Sequence, residues 1–352
     1  MSVSQFLKNK FRKSRKRRWN RLYDQSHISR VDMGLQVLAK QGRTLSVTNE
    51  KKAEEYAITV LGSADFAPWL KLYTAFRGEF LEGWIPDNYL GRVVCPAING
   101  NFRDIGRLKT LSRRILQAEA LPDLVYCIRG SWITVIGETL DFARIKTFLF
   151  DQYPVVFLKK DYSLQGNGVV KLDSDKFSEF DFKSAGDFVI QAPIRQHAFF
   201  EEISPGSVAT LRITTVKLAS KPAVNRLTTL RVGRLGMEYI YTSDCIRVPV
   251  YSNDGSFYHQ AISPDWTVLE VHPDTQVPFE GRTIPEFAKA VRLCEQLHDR
   301  FAHFELIGWD VSIEQSGEVK IMEWNTDEPG IVFSEAAIGP HFRELGWEKL
   351  CK

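Results

Sequence analysis

The stretch Gly308-Trp-Asp-Val-Ser-Ile-Glu-Gln-Ser-Gly-Glu-Val-Lys-Ile-Met-Glu-Trp-Asn325 constrains this chain more than any other. Apolar and polar residues alternate through it, and Ser316-Gly317 suits a two-residue hairpin loop. With that loop, paired residues have numbers summing to 633, so Asp310 stands opposite Glu323. Period-two alternation puts Asn325 on the same face and sends Trp309, Val311, Ile313, Met322 and Trp324 to the other. Opposed carboxylates about 5 Å apart repel and weaken a sheet unless something positive lies between them. An oxygen-only set of Asp, Glu and Asn suits Mg²⁺, completed by phosphate oxygens and water. The hairpin therefore predicts a nucleotide-bound magnesium site on Asp310, Glu323 and Asn325; the alternative is an exposed hairpin with solvated acids.

A second signal is Val155-Val-Phe-Leu-Lys-Lys-Asp-Tyr-Ser-Leu-Gln-Gly-Asn-Gly-Val169, a strand ending in lysine followed by a glycine turn and another strand. Backbone N–H groups of such a turn can close on phosphate while an ammonium neutralises it. Lys159 and Lys160 point to opposite faces, so only one reaches a common site. No helix follows Gly166 and Gly168, which excludes a P-loop or dinucleotide fingerprint. A structural turn without a ligand is the simpler reading.

Charge is unevenly spread. The 352 residues carry 46 Lys and Arg against 43 Asp and Glu, a net +3. Nine of the basic residues lie between Lys8 and Arg21, leaving 37 against 43 acids in the remainder, near −6. Residues 1–21 read as a basic arm, either a solvated leader or a helix formed on an anionic membrane with Phe11 and Trp19 as anchors. Nucleic acid is disfavoured as a partner, since no other basic, aromatic-interleaved face occurs. Hydrophobic content of 44% and charged content of 25% exclude collagen-like and wholly disordered classes. Five scattered cysteines without a C-x-x-C pair argue for a reducing, cytoplasmic setting and against a zinc ribbon. No apolar run is long enough to span a bilayer, and the N-terminus lacks the apolar core of a signal peptide.

The texture of the chain divides it into a basic arm (1–25), a helical region (26–95) and an α+β domain (96–352). Helices are expected over Asp104–Ala120, Asp141–Asp151 and Pro285–Phe304. Strands are expected at Val155–Lys159, Val169–Leu172, Phe188–Gln191, Ala209–Val216, Arg226–Val232 and Cys245–Tyr251, with the hairpin as the last structured unit.

Taken together, a lysine-ended strand with a glycine turn, a hinge strand and a distal hairpin carrying Asp, Glu and Asn resemble the ATP-grasp superfamily. The branch it resembles is the sugar-transfer associated ATP-grasp proteins, relatives of glutamate ligases. Four stretches carry the match, in family order: Phe188–His197, Ser204–Thr215, His272–Gly281 and the hairpin. The resemblance covers about residues 100–335. It implies an α+β fold of two α/β subdomains clasping ATP, 96–190 and 191–352, behind a mostly helical N-terminal region.

Residue by residue, the resemblance makes Lys159 and Lys109 nucleotide-binding lysines, with Gly166 and Gly168 in the phosphate turn. Gln191 would open the hinge strand that holds adenine, and Arg212 would face the transferring phosphoryl group, with Lys159 and Arg212 as the catalytic pair. Asp310, Glu323 and Asn325 would be the magnesium ligands. Two departures stand out: Asn167 replaces a residue that is often basic, and His197-Ala198 replaces His-Pro. A third, Tyr241–Cys245, replaces an Asp-Asn stretch beside the acceptor.

The implied activity is an ATP- and Mg-dependent carboxylate–amine ligation through an acylphosphate, modifying a sugar or surface-polysaccharide precursor. The alternatives are a kinase, for which Asp244 or His272 could serve as base, and a non-catalytic nucleotide-binding scaffold. The protein is expected in the cytoplasm, with peripheral contact at the inner face of the membrane through residues 1–21 as an option.

Overall fold

The computed structural model describes residues 3–163, 168–241 and 243–351, with side chains from residue 18 onward. Gly166 and Asn167 of the phosphate turn, Thr242, and the side chains of most of the basic arm lie outside the described residues.

Contacts divide the chain into two units. The first comprises residues 1–97, 265–268 and 330–352. Its helices Val3–Lys40, Val47–Thr59 and Ala67–Arg77 bury Val31, Leu38, Tyr56, Leu70 and Tyr73. Trp266 joins them from the middle of the chain, its ring 6.3 Å from Trp69 and 4.8 Å from Phe333. The hairpin is not the last structured element: the helix Val332–Ala337 and a short turn at Trp347–Lys349 follow it. Residues 330–352, read from the sequence as the end of the α+β domain, group with the N-terminal helices. Apolar anchors such as Phe333 and Trp347 are too widely spaced in sequence to declare a helical partner.

The second unit, residues 98–264 and 269–329, holds two sheets. The first has strands β1 (Asp123–Ile128), β2 (Ser131–Thr134), β3 (Thr139–Leu140), β4 (Val156–Lys160), β5 (Val169–Leu172) and β6 (Phe188–Gln191), in the order β3-β2-β1-β6-β4-β5. Leu158, Phe188 and Ile190 form its core with Ile145 and Leu149 of the helix Phe142–Phe150. That helix begins where expected, Asp141 accepting a hydrogen bond from the Arg144 backbone N–H at 2.9 Å.

The second sheet has β7 (Thr210–Val216), β8 (Val224–Val232), β9 (Ile246–Val250), β10 (Ala261–Ile262), β11 (Val268–Leu269), β12 (Leu306–Ile313) and β13 (Val319–Asn325). Its order is β11-β10-β9-β8-β7-β12-β13. The helix Phe287–Asp299 packs through Phe287, Ala290, Cys294 and Leu297 on the face carrying Leu211, Ile213, Leu230, Val248, Trp309 and Ile321. Each buried Leu, Ile, Val or Phe among them contributes about 1.5–3 kcal/mol. A one-residue slip of β7 would exchange Leu211 and Ile213 for Arg212 and Thr214, so the register is firmly specified.

Two helices are shorter than expected. Asp104–Ala120 resolves into a 3₁₀ turn, Ile105–Arg107, and a helix, Lys109–Leu116. Thr326 Oγ1 holds the Gly106 N–H at 3.3 Å and Leu108 leaves the helical region, so the turn cannot merge with the helix. Pro285 precedes a helix that ends at Asp299 rather than Phe304.

Candidate active site on the hairpin and the lysine strand

The hairpin turn differs from the one its sequence suggests. The Glu314 N–H meets the Glu318 carbonyl at 2.8 Å and Gly317 N–H meets the Glu314 carbonyl at 2.9 Å, which makes a three-residue loop. Gly317, at φ +77, occupies the left-handed position such a loop requires. Ile313, Ser312 and Val311 accordingly pair with Val319, Lys320 and Ile321. Continued unbroken, that register would put Glu323 beside Trp309 in the core. A bulge at Met322 intervenes, and beyond it Asp310 pairs with Glu323 and Gly308 with Asn325. The two irregularities cancel at the carboxylates. They do not cancel for Met322: it was expected beside the tryptophans, but its sulfur lies 3.6 Å from Thr210 Oγ1, while Ile321 takes the core position.

Asp310 also pairs across the sheet with Arg212 of β7. Arg212 Nε donates to Oδ1 at 2.6 Å and Nη2 to Oδ2 at 2.8 Å, while Nη1 donates to the Pro329 carbonyl. Burial alone would raise the Asp310 pKa, but Arg212 and Arg231 outweigh it and hold the carboxyl below its usual range. Burial likewise opposes the Arg212 charge, and Asp310 more than offsets it. Asn325 Nδ2 lies 3.5 Å from Asp310 Oδ2.

The first sheet supplies Lys159, and the helix Lys109–Leu116 supplies Lys109. Lys159, on β4, is buried and donates to the Met322 carbonyl at 3.3 Å, an oxygen on the bulged residue. Burial lowers its pKa, against the opposing pull of Glu323. Lys109, at the start of its helix, donates to the Ser163 carbonyl at 2.9 Å and stands 3.9 Å from Glu323 Oε2. Thr110 ties that helix to the end of β4 through both oxygens of Asp161, at 3.0 and 2.7 Å. Gly168 closes the turn, its carbonyl accepting from the Lys160 N–H at 3.1 Å. A Cβ there would come within 2.2 Å of Ser163 Cβ, so only glycine fits.

Gln191 ends β6 rather than opening a strand, and its Nε2 donates to Asp123 Oδ1 at 2.7 Å. Asp123, which the sequence reading missed, also accepts from the Tyr126 hydroxyl at 2.9 Å. Burial raises its pKa despite both bonds. Arg231 and Arg247 were missed as well; the available signal was an arginine within a strand, Arg247 being the one charge of β9 and Arg231 one of two in β8. His272 is fully engaged: Nε2 meets the Gly233 carbonyl at 2.9 Å, and Nδ1 accepts from the Asp274 and Thr275 N–H groups at 3.3 Å each.

Among the described residues no three His, Cys, Asp or Glu side chains gather as a metal cage. The hairpin offers two carboxylates and an amide on one face. That donor set fits Mg²⁺ sharing its shell with phosphate and water, and does not suit a metal held by protein alone.

A family model for sugar-transfer associated ATP-grasp proteins matches residues 170–346, half of the chain. The chain belongs to the sugar-transfer associated ATP-grasp family. The matched stretch of this ATP-grasp protein contains Gln191, Arg212, Asp310, Glu323 and Asn325; Lys109, Lys159 and the glycine turn precede it. No curated protein matches the chain. Solved structures similar to it include the biotin carboxylase domain of Hydrogenobacter thermophilus 2-oxoglutarate carboxylase, a complex with MgADP, at 10% identity and TM-score 0.38, covering 62% of this chain and 39% of that one. Campylobacter jejuni biotin carboxylase matches at 9% identity and TM-score 0.40, covering 65% and 41%. Staphylococcus aureus N5-carboxyaminoimidazole synthetase with ADP matches at 13% and 0.37, covering 62% and 44%. The chain thus spans less than half the length of these structures.

Proposed function

We propose that this ATP-grasp protein is an ATP- and Mg²⁺-dependent carboxylate–amine ligase. The observation that carries the reading is that Lys159 of β4 and Lys109 of the helix Lys109–Leu116 both reach the hairpin, at the Met322 carbonyl (3.3 Å) and Glu323 Oε2 (3.9 Å), where Glu323 is the register partner of the Arg212-bound Asp310. Asp310, Glu323 and Asn325 would hold Mg²⁺, which would neutralise phosphate charge. Lys109, Lys159 and Arg212 would spread the remaining charge, and the turn at Gly166 and Gly168 would cover the phosphates. Gln191 would sit at the base end of the nucleotide.

In the reaction a substrate carboxylate oxygen bonds to the γ-phosphorus as the bond to the β-bridging oxygen breaks, giving an acylphosphate and ADP. An amine then bonds to the acyl carbon, phosphate leaves, and the amine proton passes to solvent. Catalysis is by positioning and charge stabilisation, with no nucleophilic side chain. The family description, sugar-transfer associated, is what supports reading the modified substrate as a sugar or a surface-polysaccharide precursor; the description itself names sugar transfer alone.

Incubation with Mg-ATP, candidate acids and hydroxylamine tests the reading: a hydroxamate is expected, and a stable phosphorylated product without hydroxamate would replace ligase by kinase. Of the two bases considered for a kinase, His272 has both ring nitrogens engaged. The basic residues 1–21 are read as a peripheral contact with an anionic membrane; no described helix is long and apolar enough to cross one. Deleting them should abolish binding to phosphatidylserine-containing vesicles and leave ATP turnover intact.

A further inference from the structure

Asp123 is a buried carboxyl for which the proposed reaction has no task. The ladder of β1 with β6 pairs Cys127 with Phe188, Tyr126 with Val189 and Val125 with Ile190. Continued unbroken, it would set Leu124 beside Gln191. A bulge puts Asp123 there instead, and Leu124 packs against the core of the sheet. Gln191 also pairs with Phe157, and Val189 with Lys159. Cross-strand partners share a face, so Asp123, Gln191, Tyr126 and Lys159 stand together, opposite the core face of Val125, Leu158, Phe188 and Ile190.

The bulge fixes the orientation of one amide. Gln191 Nε2 donates to Asp123 Oδ1 at 2.7 Å, and the Tyr126 hydroxyl donates to Oδ2 at 2.9 Å. Burial disfavours the charge on Asp123, while both hydrogen bonds and the nearby Lys159 and Arg113 favour it. A carboxylate accepts and cannot donate, so it holds only the NH₂ side of the Gln191 amide. Oε1 is thereby turned away from Asp123, and it accepts no hydrogen bond among the described residues. Gln191 lies two residues from Val189, about 7 Å along the strand from the level of Lys159. A nucleotide covers such a span between its phosphates and its base.

We propose that Asp123 is a positioning residue that locks the Gln191 amide, so that Oε1 selects a purine nucleotide bearing an amino group at C6. An exocyclic amino group donates to Oε1, whereas a keto oxygen in its place would face a second acceptor and leave both unpaired. The inference rests on the reading of Gln191 as the base end of the nucleotide site.

The test is calorimetric binding of ADP and of IDP, each with Mg²⁺, to the full chain. ADP carries an amino group at C6 and IDP a keto group. The wild-type chain should bind ADP about tenfold or more tighter than IDP. Asp123→Asn keeps the volume, but its own amide can face either end of the Gln191 amide, so the ADP preference should shrink several-fold, chiefly through a gain in IDP affinity. Gln191→Met removes Oε1 and should abolish the preference. A wild-type chain without the preference, or an undiminished preference in either variant, would overturn the inference and leave the ligase reading standing. Equal weakening of both nucleotides in Asp123→Asn would likewise overturn it, since packing alone explains that result. Absence of ADP binding to the wild-type chain would overturn the base-end reading of Gln191 together with the inference.

Discussion

Arg212 and Asp310 lie fork to fork on adjoining strands, with Nε to Oδ1 at 2.6 Å and Nη2 to Oδ2 at 2.8 Å, both residues almost wholly buried. The pair joins the predicted phosphate ligand to the predicted metal ligand, and each charge neutralises the other.

Breaking that pair on one side leaves a buried charge unmatched. Asp310→Ala should cost about 3–5 kcal/mol in urea unfolding. Replacing both, Arg212→Met with Asp310→Leu, should recover most of that stability and abolish Mg-dependent ATP binding. A single variant as stable as the wild type would contradict the geometry.

Lys159 is retained against its desolvation cost, which lowers its pKa. Lys159→Met keeps the volume and removes the buried charge, so thermal stability without nucleotide should hold or rise. ATP affinity should fall about tenfold or more. Calorimetry beside a thermal melt separates the two effects, and an unchanged affinity would remove Lys159 from the site.

The turn offers a packing test. Gly168→Ala would press a methyl against Ser163 Cβ, at 2.2 Å, and shift the carbonyl that holds Lys109. Overpacking of this kind costs about 1–3 kcal/mol, and ATP binding should weaken with it. Ser163→Gly in the same chain removes the opposing Cβ and should restore both. Failure of the double variant would mean that the glycine serves another purpose.

In the helical unit, burial pushes the Glu335 carboxyl from its usual 4.5 up to about 8, even though the Ile85 and His341 N–H groups donate to it. The unfolded chain ionises this group near 4.5 while the folded chain stays protonated until about 8. Between those values the unfolded state binds fewer protons, so stability should decline as pH rises and level off above about 8. Denaturant unfolding across this range should show the decline, and Glu335→Gln should flatten it whatever its cost at any single pH.

Much of the fold was legible because it is written locally. Asp141 followed by an apolar helical stripe marks a helix start, and Val169–Leu172 and Phe188–Gln191 are bounded by turn residues and punctuated as strands. The hairpin shows where local reading stops. Its Asp310–Glu323 pairing was expected from a two-residue turn, but the turn has three residues and the pairing depends on a bulge at Met322. Nothing near Met322 announces a bulge, since the core demand of Ile321 and Trp324 on either side of it creates one.

By itself the sequence determined which residue types could build a phosphate and magnesium site and which face of each strand would carry them. Alternation and residue chemistry are properties of short stretches. Tertiary structure decided that Lys159 meets the Met322 carbonyl, that Asp310 is shared between Arg212 and the hairpin, that Asp123 joins Gln191, and that Arg231 stands beside Arg247. It also decided that residues 330–352 rejoin the N-terminal helices. These are contacts between elements far apart in the chain, selected by burying apolar faces together, and no local period encodes them.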